Sequence, residues 1–470
     1  MSEHNINVSE KTLDNSFWSL LKEAFRGSDR DFTEGSIGKA IFILAIPMII
    51  EMFAESLFAI VDIFYVAKLG ANAVAVVAIT ESMMYLIYSV AIGISIGATA
   101  SVARRIGEKD KDGAAKAATH SIYIGLVASV ILGIIGFVFA PTFLSLLGAD
   151  EQVIAEGTNF TRLSLGGNIV VVFLFLLNAI FRGAGDAAIA MRVLWIANLL
   201  NIILNPIFIF VLDWGVTGAA VGTLVGRGVG VIFAAYALFF SKRRFEIRRE
   251  HWQIDYSRLW KLIKIAYPAT LQFTIQSASF IGLIPILAGF GSNVVAGYSI
   301  GWRVVAFGIL PSLGIANAAA TLVGQSLGAG NPDRAEKAVW TTVFYNAIIQ
   351  TSVGLIFVIF AEPISRIFTD DPNVLPFAVN CLTIVSYGFF FYGVGMVLET
   401  SFNGAGDTWT PTYMNFFVFW LFEIPLAYLL AYKFGFGAQG VFWAIFIAFS
   451  VLTVVSAIVF RRGKWKLMQV

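Results

Sequence analysis

Charge is what this sequence lacks most. Of 470 residues only 13% are Asp, Glu, Lys or Arg, while 58% are hydrophobic. A soluble domain carries roughly 25% charged residues to cover its surface. The missing charge implies a surface that faces lipid. Cysteine is nearly absent: Cys381 stands alone, which excludes an internal disulfide, and no C-x-x-C spacing is available for a metal. The three histidines, His4, His120 and His251, are too scattered to suggest a metal site. No Walker A run occurs, so ATP is not the evident driving force. Gly183-Ala184-Gly185 lies in a loop between apolar runs, not at a strand-to-helix turn. Neither a catalytic cluster nor a cofactor is expected, and the chain does not read as an enzyme. A net charge of +2 carries no nucleic-acid signal.

What is abundant is apolar sequence in lengths of about 20 residues or more, the length that crosses a bilayer as a helix. Twelve such runs occur, at 38–67, 73–103, 114–140, 152–181, 188–212, 216–240, 260–288, 294–323, 335–361, 373–402, 409–432 and 437–460. Turn chemistry separates them, as at Gly107 to Gly113 and Asp213-Trp214-Gly215. The even-numbered connections and the C-terminal tail carry 21 Lys and Arg, against three (Lys68, Arg366, Lys433) on the opposite side. The positive-inside rule then puts both termini and the central loop in the cytoplasm. Residues 1–14 are polar and contain no apolar core of the signal-peptide kind. Phe17, Leu20, Leu21 and Phe25 recur at helical spacing and predict an interfacial amphipathic helix.

The chain repeats itself. A shift of 221 residues carries Pro47 onto Pro268, Gly70 onto Gly291, Gly93 onto Gly314, Gly107 onto Gly328 and Asp112 onto Asp333. The same shift lays Gly183-Ala184-Gly185-Asp186 on Gly404-Ala405-Gly406-Asp407. Each copy holds six spans, an even number, so both point the same way: a parallel repeat about an axis along the membrane normal. The expected fold is an all-α integral membrane protein. Its twelve transmembrane helices form two pseudo-symmetric six-helix bundles around a central cleft. The expected division is a cytoplasmic segment 1–35, a lobe 36–240, a basic linker 241–259, a lobe 260–462 and a tail 463–470.

Charge at hydrocarbon depth costs at least about 2.5–3.5 kcal/mol per residue, so it is kept where it faces a cavity or a partner. The first span holds Glu51, Glu55 and Asp62 at i, i+4 and i+11, on one helical stripe. The fifth span holds Asn198, Asn201 and Asn205 on a matching stripe, followed by Pro206, which frees a backbone carbonyl. Carboxylates and amides at this depth can bind a proton or Na⁺, or hydrogen-bond across helices as packing glue. Asp62, Glu55, Asn201, Asn205 and Glu51 are the cation-coupling candidates. In the second copy Gln272 and Gln276 replace the two glutamates, and Leu283 replaces Asp62. Gln272, Gln276, Asn178, Arg303, Glu399 and Tyr392 are candidates for lining a substrate cleft. Glu81, Arg227, Arg303, Glu399 and Glu423 also lie in spans, with pairings open. The 43 phenylalanines suit lipid contact, packing and apolar or aromatic cations.

The run Val61-Asp62-Ile63-Phe64-Tyr65-Val66-Ala67-Lys68-Leu69-Gly70, the paired Gly-Ala-Gly-Asp loops and Asn201-x-x-x-Asn205-Pro206 resemble the multidrug and toxic compound extrusion (MATE) transporters. The resemblance covers about Ser36 to Arg462. It implies a secondary antiporter exporting organic, often cationic, compounds in exchange for H⁺ or Na⁺. The family's first-span aspartate matches Asp62. In the DNA-damage-inducible branch it works with Asn-x-x-x-Asp-Pro in the fifth span; here Asn201 matches the asparagine, and Asn205 stands where the aspartate would be. The Na⁺-coupled bacterial branch uses a glutamate in the seventh span and an aspartate in the tenth, where Gln276 and Tyr392 stand here. The resemblance therefore leans to the former branch and away from coupling through the C-terminal lobe. The repeat, not the resemblance, suggests that Glu55, the counterpart of Gln276, takes over part of that role.

The expected function is cation-coupled efflux by a monomer in the cytoplasmic membrane, with lipid and small organic substrates as partners and no nucleic acid. A flippase for a lipid-linked sugar or cell-wall precursor is the alternative. It would need a strongly cationic cleft, whereas only Arg227 and Arg303 lie deep in spans. A channel or membrane-embedded enzyme fits less well, because neither a symmetric pore element nor a catalytic cluster is visible.

Overall fold

The computed structural model describes residues 17–240 and 244–470. His4, the polar stretch before Phe17 and the first residues of the linker fall outside them. Among the described residues the chain is helical, with no strand. The amphipathic segment forms α1 (Phe17–Arg26), with Phe17, Trp18 and Phe25 exposed and Phe17 set edge-on against Phe42.

The first half continues through α2 (Ile37–Ala67), α3 (Ala71–Gly107), α4 (Lys111–Leu146), α5 (Glu151–Gly166), α6 (Asn168–Ala184), α7 (Ala187–Pro206) and α8 (Gly215–Phe240). The second half runs through α9 (Tyr256–Ala288), α10 (Ser292–Gly328), α11 (Pro332–Ile359), α12 (Ala361–Arg366), α13 (Leu375–Ser386), α14 (Phe389–Ala405), α15 (Trp409–Asn415), α16 (Ile424–Tyr428) and α17 (Ala438–Arg461). Adding 221 to both ends of α3 gives α10, and adding it to both ends of α6 gives α14. The caps repeat too. Asp110 accepts from the Gly113 N–H to start α4, and its counterpart Asn331 accepts from the Arg334 N–H to start α11. Gly185 and Gly406 end α6 and α14 in the left-handed region, at φ 85° and 89°, where a side chain would be strained.

Eleven helices among the described residues are long and apolar enough to cross a membrane, and the pair α13–α14 makes a twelfth. That pair is bent by 56° at Tyr387-Gly388, and the fourth span breaks at the repeat-related Gly167 between α5 and α6. Both spans read as single runs in the sequence. Glycine at the junction weakens the helix locally, and packing sets the bend. π-helical turns at Ile207–Val211, Phe416–Glu423 and Leu429–Lys433 widen the fifth and eleventh spans.

The halves meet near the end that carries the basic connections. Gly107 on α3 lies against the Gln325 backbone, and its repeat partner Gly328 lies against the Arg104 backbone. Gln325 Nε2 donates to Gly183 O at 3.0 Å, and Arg104 Nη2 donates to Ala405 O at 3.3 Å and Met468 O at 2.9 Å. A shared core joins Phe32, Met48 and Ala187 to Ile315, Leu322 and Ala338. Nearer mid-membrane, Glu81 and Tyr85 on α3 are exposed and within electrostatic reach of the exposed Arg303 on α10. The gap between the halves thus contains charge of both signs.

The segment after α1 straps this closed end. Arg334 of α11 donates to Phe32 O, Glu34 O and Gly35 O, and Lys109 reaches Asp31 at 3.5 Å. Burial pushes the Glu23 carboxyl up, but hydrogen bonds from Arg30 and Ser28 outweigh it and hold Glu23 below its ordinary value. Asp31 is likewise held low against burial, by Thr33 and then Lys109. Carboxylates depressed in the folded state contribute stability that is full above their ordinary range and lost as pH falls through their lowered values. The strap is therefore expected to stay docked at neutral pH and to loosen on acidification below the usual carboxylate range. Amide hydrogen exchange of residues 27–35 against pH checks this; protection that is unchanged through that window would contradict it.

Candidate cation-coupling site

Glycine builds the site. On α8, Gly222, Gly226 and Gly230 recur every four residues and let α8 lie directly against α7. A Cβ at Gly222 would strike the Asn205 side chain, and one at Gly226 would strike the Asn201 backbone. The close approach brings Thr223 of α8 to the asparagine stripe, where Asn201 Nδ2 donates to Thr223 Oγ1 at 3.0 Å. Asn201 and Asn205, one turn apart, exchange amide hydrogen bonds at 3.2 and 3.3 Å. Asn205 Nδ2 also donates to Asp62 Oδ1 at 2.7 Å, joining the stripes of the first and fifth spans. Both asparagines are fully buried.

The three acids of α2 have different partners. Glu51 Oε1 accepts from Arg182 Nη1 at 2.7 Å and from Asn178 Nδ2 at 3.5 Å. Glu55 Oε2 accepts from Arg227 Nη2 at 3.2 Å, and the Arg227 guanidinium lies 4.5 Å from the Phe58 ring centroid. This fixes the pairing of Arg227 that the sequence left open. Asp62 is the acid of the stripe whose hydrogen bond comes from a neutral amide. From it a chain of hydrogen bonds runs through Asn205 and Asn201 to Thr223. The carboxylate can take a proton in this arrangement, and a small hard cation would need the Asn205 amide to turn its oxygen toward Asp62. Glu51 and Glu55 have their charge opposed by arginine and are less available for that chemistry.

The cleft candidates divide. Arg303 is exposed. Gln276 is half-buried, and Gln272 is buried with Oε1 lacking a hydrogen-bond partner. Asn178, Tyr392 and Glu399 are buried, at 1%, 8% and 8% exposure. Sequence reasoning missed Thr223 and Arg182. The GxxxGxxxG spacing beside Thr223 is the signal that could have found it; nothing in the sequence ties Arg182 to Glu51. Among the described residues no cluster of three His, Cys, Asp or Glu is placed to hold a metal ion.

A family model described as MatE matches the chain twice, over residues 47–207 and 268–429. The two matches start 221 residues apart, the period of the repeat. The chain is 26% identical over 437 residues to a probable multidrug resistance protein, NorM, of Thermotoga maritima, covering 92% of this chain and 93% of that one. It is also 26% identical over 402 residues to an FAD transporter of Shewanella oneidensis, covering 84% and 88%. A solved structure of a multidrug resistance MATE family transporter of the MOP superfamily, in an outward-facing conformation, superposes with a TM-score of 0.89. It is 28% identical and covers 94% of this chain and 99% of its own. The twice-matched model, the two-lobe fold and the multi-pass helices lead to one identification: the chain belongs to the MatE family, the multidrug and toxic compound extrusion transporters.

Proposed function

We propose that the chain is a secondary active antiporter. It exports organic, often cationic or amphipathic, compounds across the cytoplasmic membrane in exchange for H⁺ or Na⁺. The exchange runs by alternating access of two lobes, residues 36–240 and 260–462, joined by the basic linker 241–259. Both termini lie in the cytoplasm, and one chain suffices. The observation that carries this reading is the Asp62–Asn205 hydrogen bond inside the first lobe. Among the described residues Asp62 makes no ion pair, although Arg227 is within its electrostatic reach, and this supports a carboxylate whose charge a cation can change. With the basic end cytoplasmic, the end where the halves meet faces inward.

A ligand shifts a two-state equilibrium only by its differential affinity for the states. Cation binding neutralises Asp62 and favours the state in which its surroundings are driest, and substrate leaves outward as the lobe rearranges. Asn205 in place of a second acid leaves one carboxylate at this site, which favours H⁺. Asp62 and Asn201 favour the DNA-damage-inducible branch, and Asn205 is a departure from it. The mixed signs of Glu81 and Arg303 in the gap suit amphipathic compounds better than a lipid diphosphate.

The test is uptake of a fluorescent cationic dye into inverted vesicles, with a pH gradient and a Na⁺ gradient imposed separately. Uptake is expected under the pH gradient. Dye movement that runs down its own gradient, indifferent to both ions, would remove the antiport reading.

A further inference from the structure

The first lobe contains a cation of its own. Arg227 is 3% exposed and lies on α8 one turn after Thr223, beside the glycines that seat α8 against α7. Its side chain crosses to α2. There Glu55, Phe58 and Asp62 follow one another at i, i+3 and i+7, on one face of the helix. Arg227 Nη2 donates to Glu55 Oε2 at 3.2 Å, and the guanidinium lies 4.5 Å from the Phe58 ring centroid. The charge therefore sits beside the turn that separates the two acids. Asp62 is within its electrostatic reach.

Arg227 has donors to spare. Its Nε and Nη1 have no hydrogen-bond partner among the described residues, although the Tyr88 hydroxyl of α3 is within reach. A buried charged donor left unpaired costs at least about 1–3 kcal/mol. The guanidinium fork carries five N–H groups and can serve two carboxylates at once. Glu81 of α3 also acts on Asp62, with the opposite sign. Glu81 is exposed, so water and salt screen it, whereas the buried Arg227 is screened far less.

H⁺ and Na⁺ meet this arrangement differently. Na⁺ needs room and several oxygens turned toward it. Asn205 points an N–H at Asp62, and the guanidinium fills the side toward Glu55. A proton needs neither space nor extra ligands, because it adds to one carboxylate oxygen. We propose that Arg227 is a tethered counter-cation that stands where Na⁺ would bind between Glu55 and Asp62, and so restricts the coupling ion to H⁺. When Asp62 is ionised, the spare donors of Arg227 compensate it. When Asp62 takes a proton from water, Arg227 is left to Glu55. One O–H bond forms and later breaks; no other covalent bond changes. The inference rests on Asp62 as the coupling carboxylate, and Na⁺ binding reads it separately from flux.

The test is saturable binding of radiolabelled Na⁺ to the full-length protein in lipid, beside dye uptake driven by a Na⁺ gradient alone. The wild type is expected to show neither. Glu55→Gln/Arg227→Gln removes the ion pair as a unit, so no buried charge is left alone. This double variant is expected to bind Na⁺, with Na⁺-driven uptake raised about tenfold or more over the wild type. Adding Asp62→Asn to it should abolish the binding. Arg227→Lys, which retains a cation, is expected to stay blind to Na⁺. Arg227→Gln alone serves if the double variant does not fold. Saturable Na⁺ binding by the wild type would overturn the proposal, as would a double variant that binds none. Wild-type uptake indifferent to both H⁺ and Na⁺ gradients would remove the antiport reading instead, and the binding data would still decide whether Arg227 excludes Na⁺.

Discussion

Asp62→Asn is expected to abolish drug resistance and gradient-driven export while leaving expression and membrane insertion intact. The amide oxygen that the substitution introduces can still accept from the Asn205 amide, so the hydrogen bond that organises the site survives. The cost in stability is expected to stay under about 1 kcal/mol. What disappears is the change of charge. A charge at hydrocarbon depth costs at least about 2.5–3.5 kcal/mol, roughly a hundredfold in an equilibrium. A side chain that can switch that cost on and off biases the two states of the lobe by a comparable factor; asparagine cannot. Growth under a panel of cationic drugs, beside a blot for membrane-inserted protein, measures both halves of the prediction. Normal resistance would take Asp62 out of the mechanism.

Gly107→Val is expected to have a comparable effect on export by an unrelated route. A Cβ at residue 107 would collide with the Gln325 carbonyl oxygen, a contact with backbone that no rotamer can relieve. Gly328 makes the symmetric contact with the Arg104 backbone, so one clash loosens a paired seam. Overpacking of this kind costs about 1–3 kcal/mol. Here the chain can avoid it by separating the lobes. The expected result is a shift of about tenfold or more away from the arrangement closed at the basic end, with export falling accordingly. Spin-label distances across that end measure it, on cysteines introduced in the α3–α4 and α10–α11 connections. The native Cys381 is buried and should not interfere. An undisturbed closed distance in Gly107→Val would contradict the packing described above.

The architecture was largely legible because a bilayer imposes simple rules. Length of apolar run, loop glycines and basic asymmetry are all written at the scale of the helix, and the 221-residue shift reappears in the bounds of α3 and α10 and of α6 and α14. The breaks at Gly167 and Gly388 were not legible, because one glycine in an apolar run does not differ from its neighbours until packing bends it. Within the site, the stripes of α2 and α7 were readable as helical spacing. Their contents were not. Glu51, Glu55 and Asp62 look alike in sequence, and only the direct ion pairs that Arg182 and Arg227 make from other helices separate Glu51 and Glu55 from Asp62. Glu399 and Glu423 were read as one more open pairing, because sequence cannot show that neither makes an ion pair among the described residues.

The most direct measurement follows ion and drug together in proteoliposomes that contain only this protein. The account predicts that each drug movement is accompanied by a cation moving the opposite way in fixed ratio, and that Asp62→Asn stops both movements at once. Drug crossing without a countermoving ion, or an Asp62→Asn protein that still exchanges the two, would contradict it.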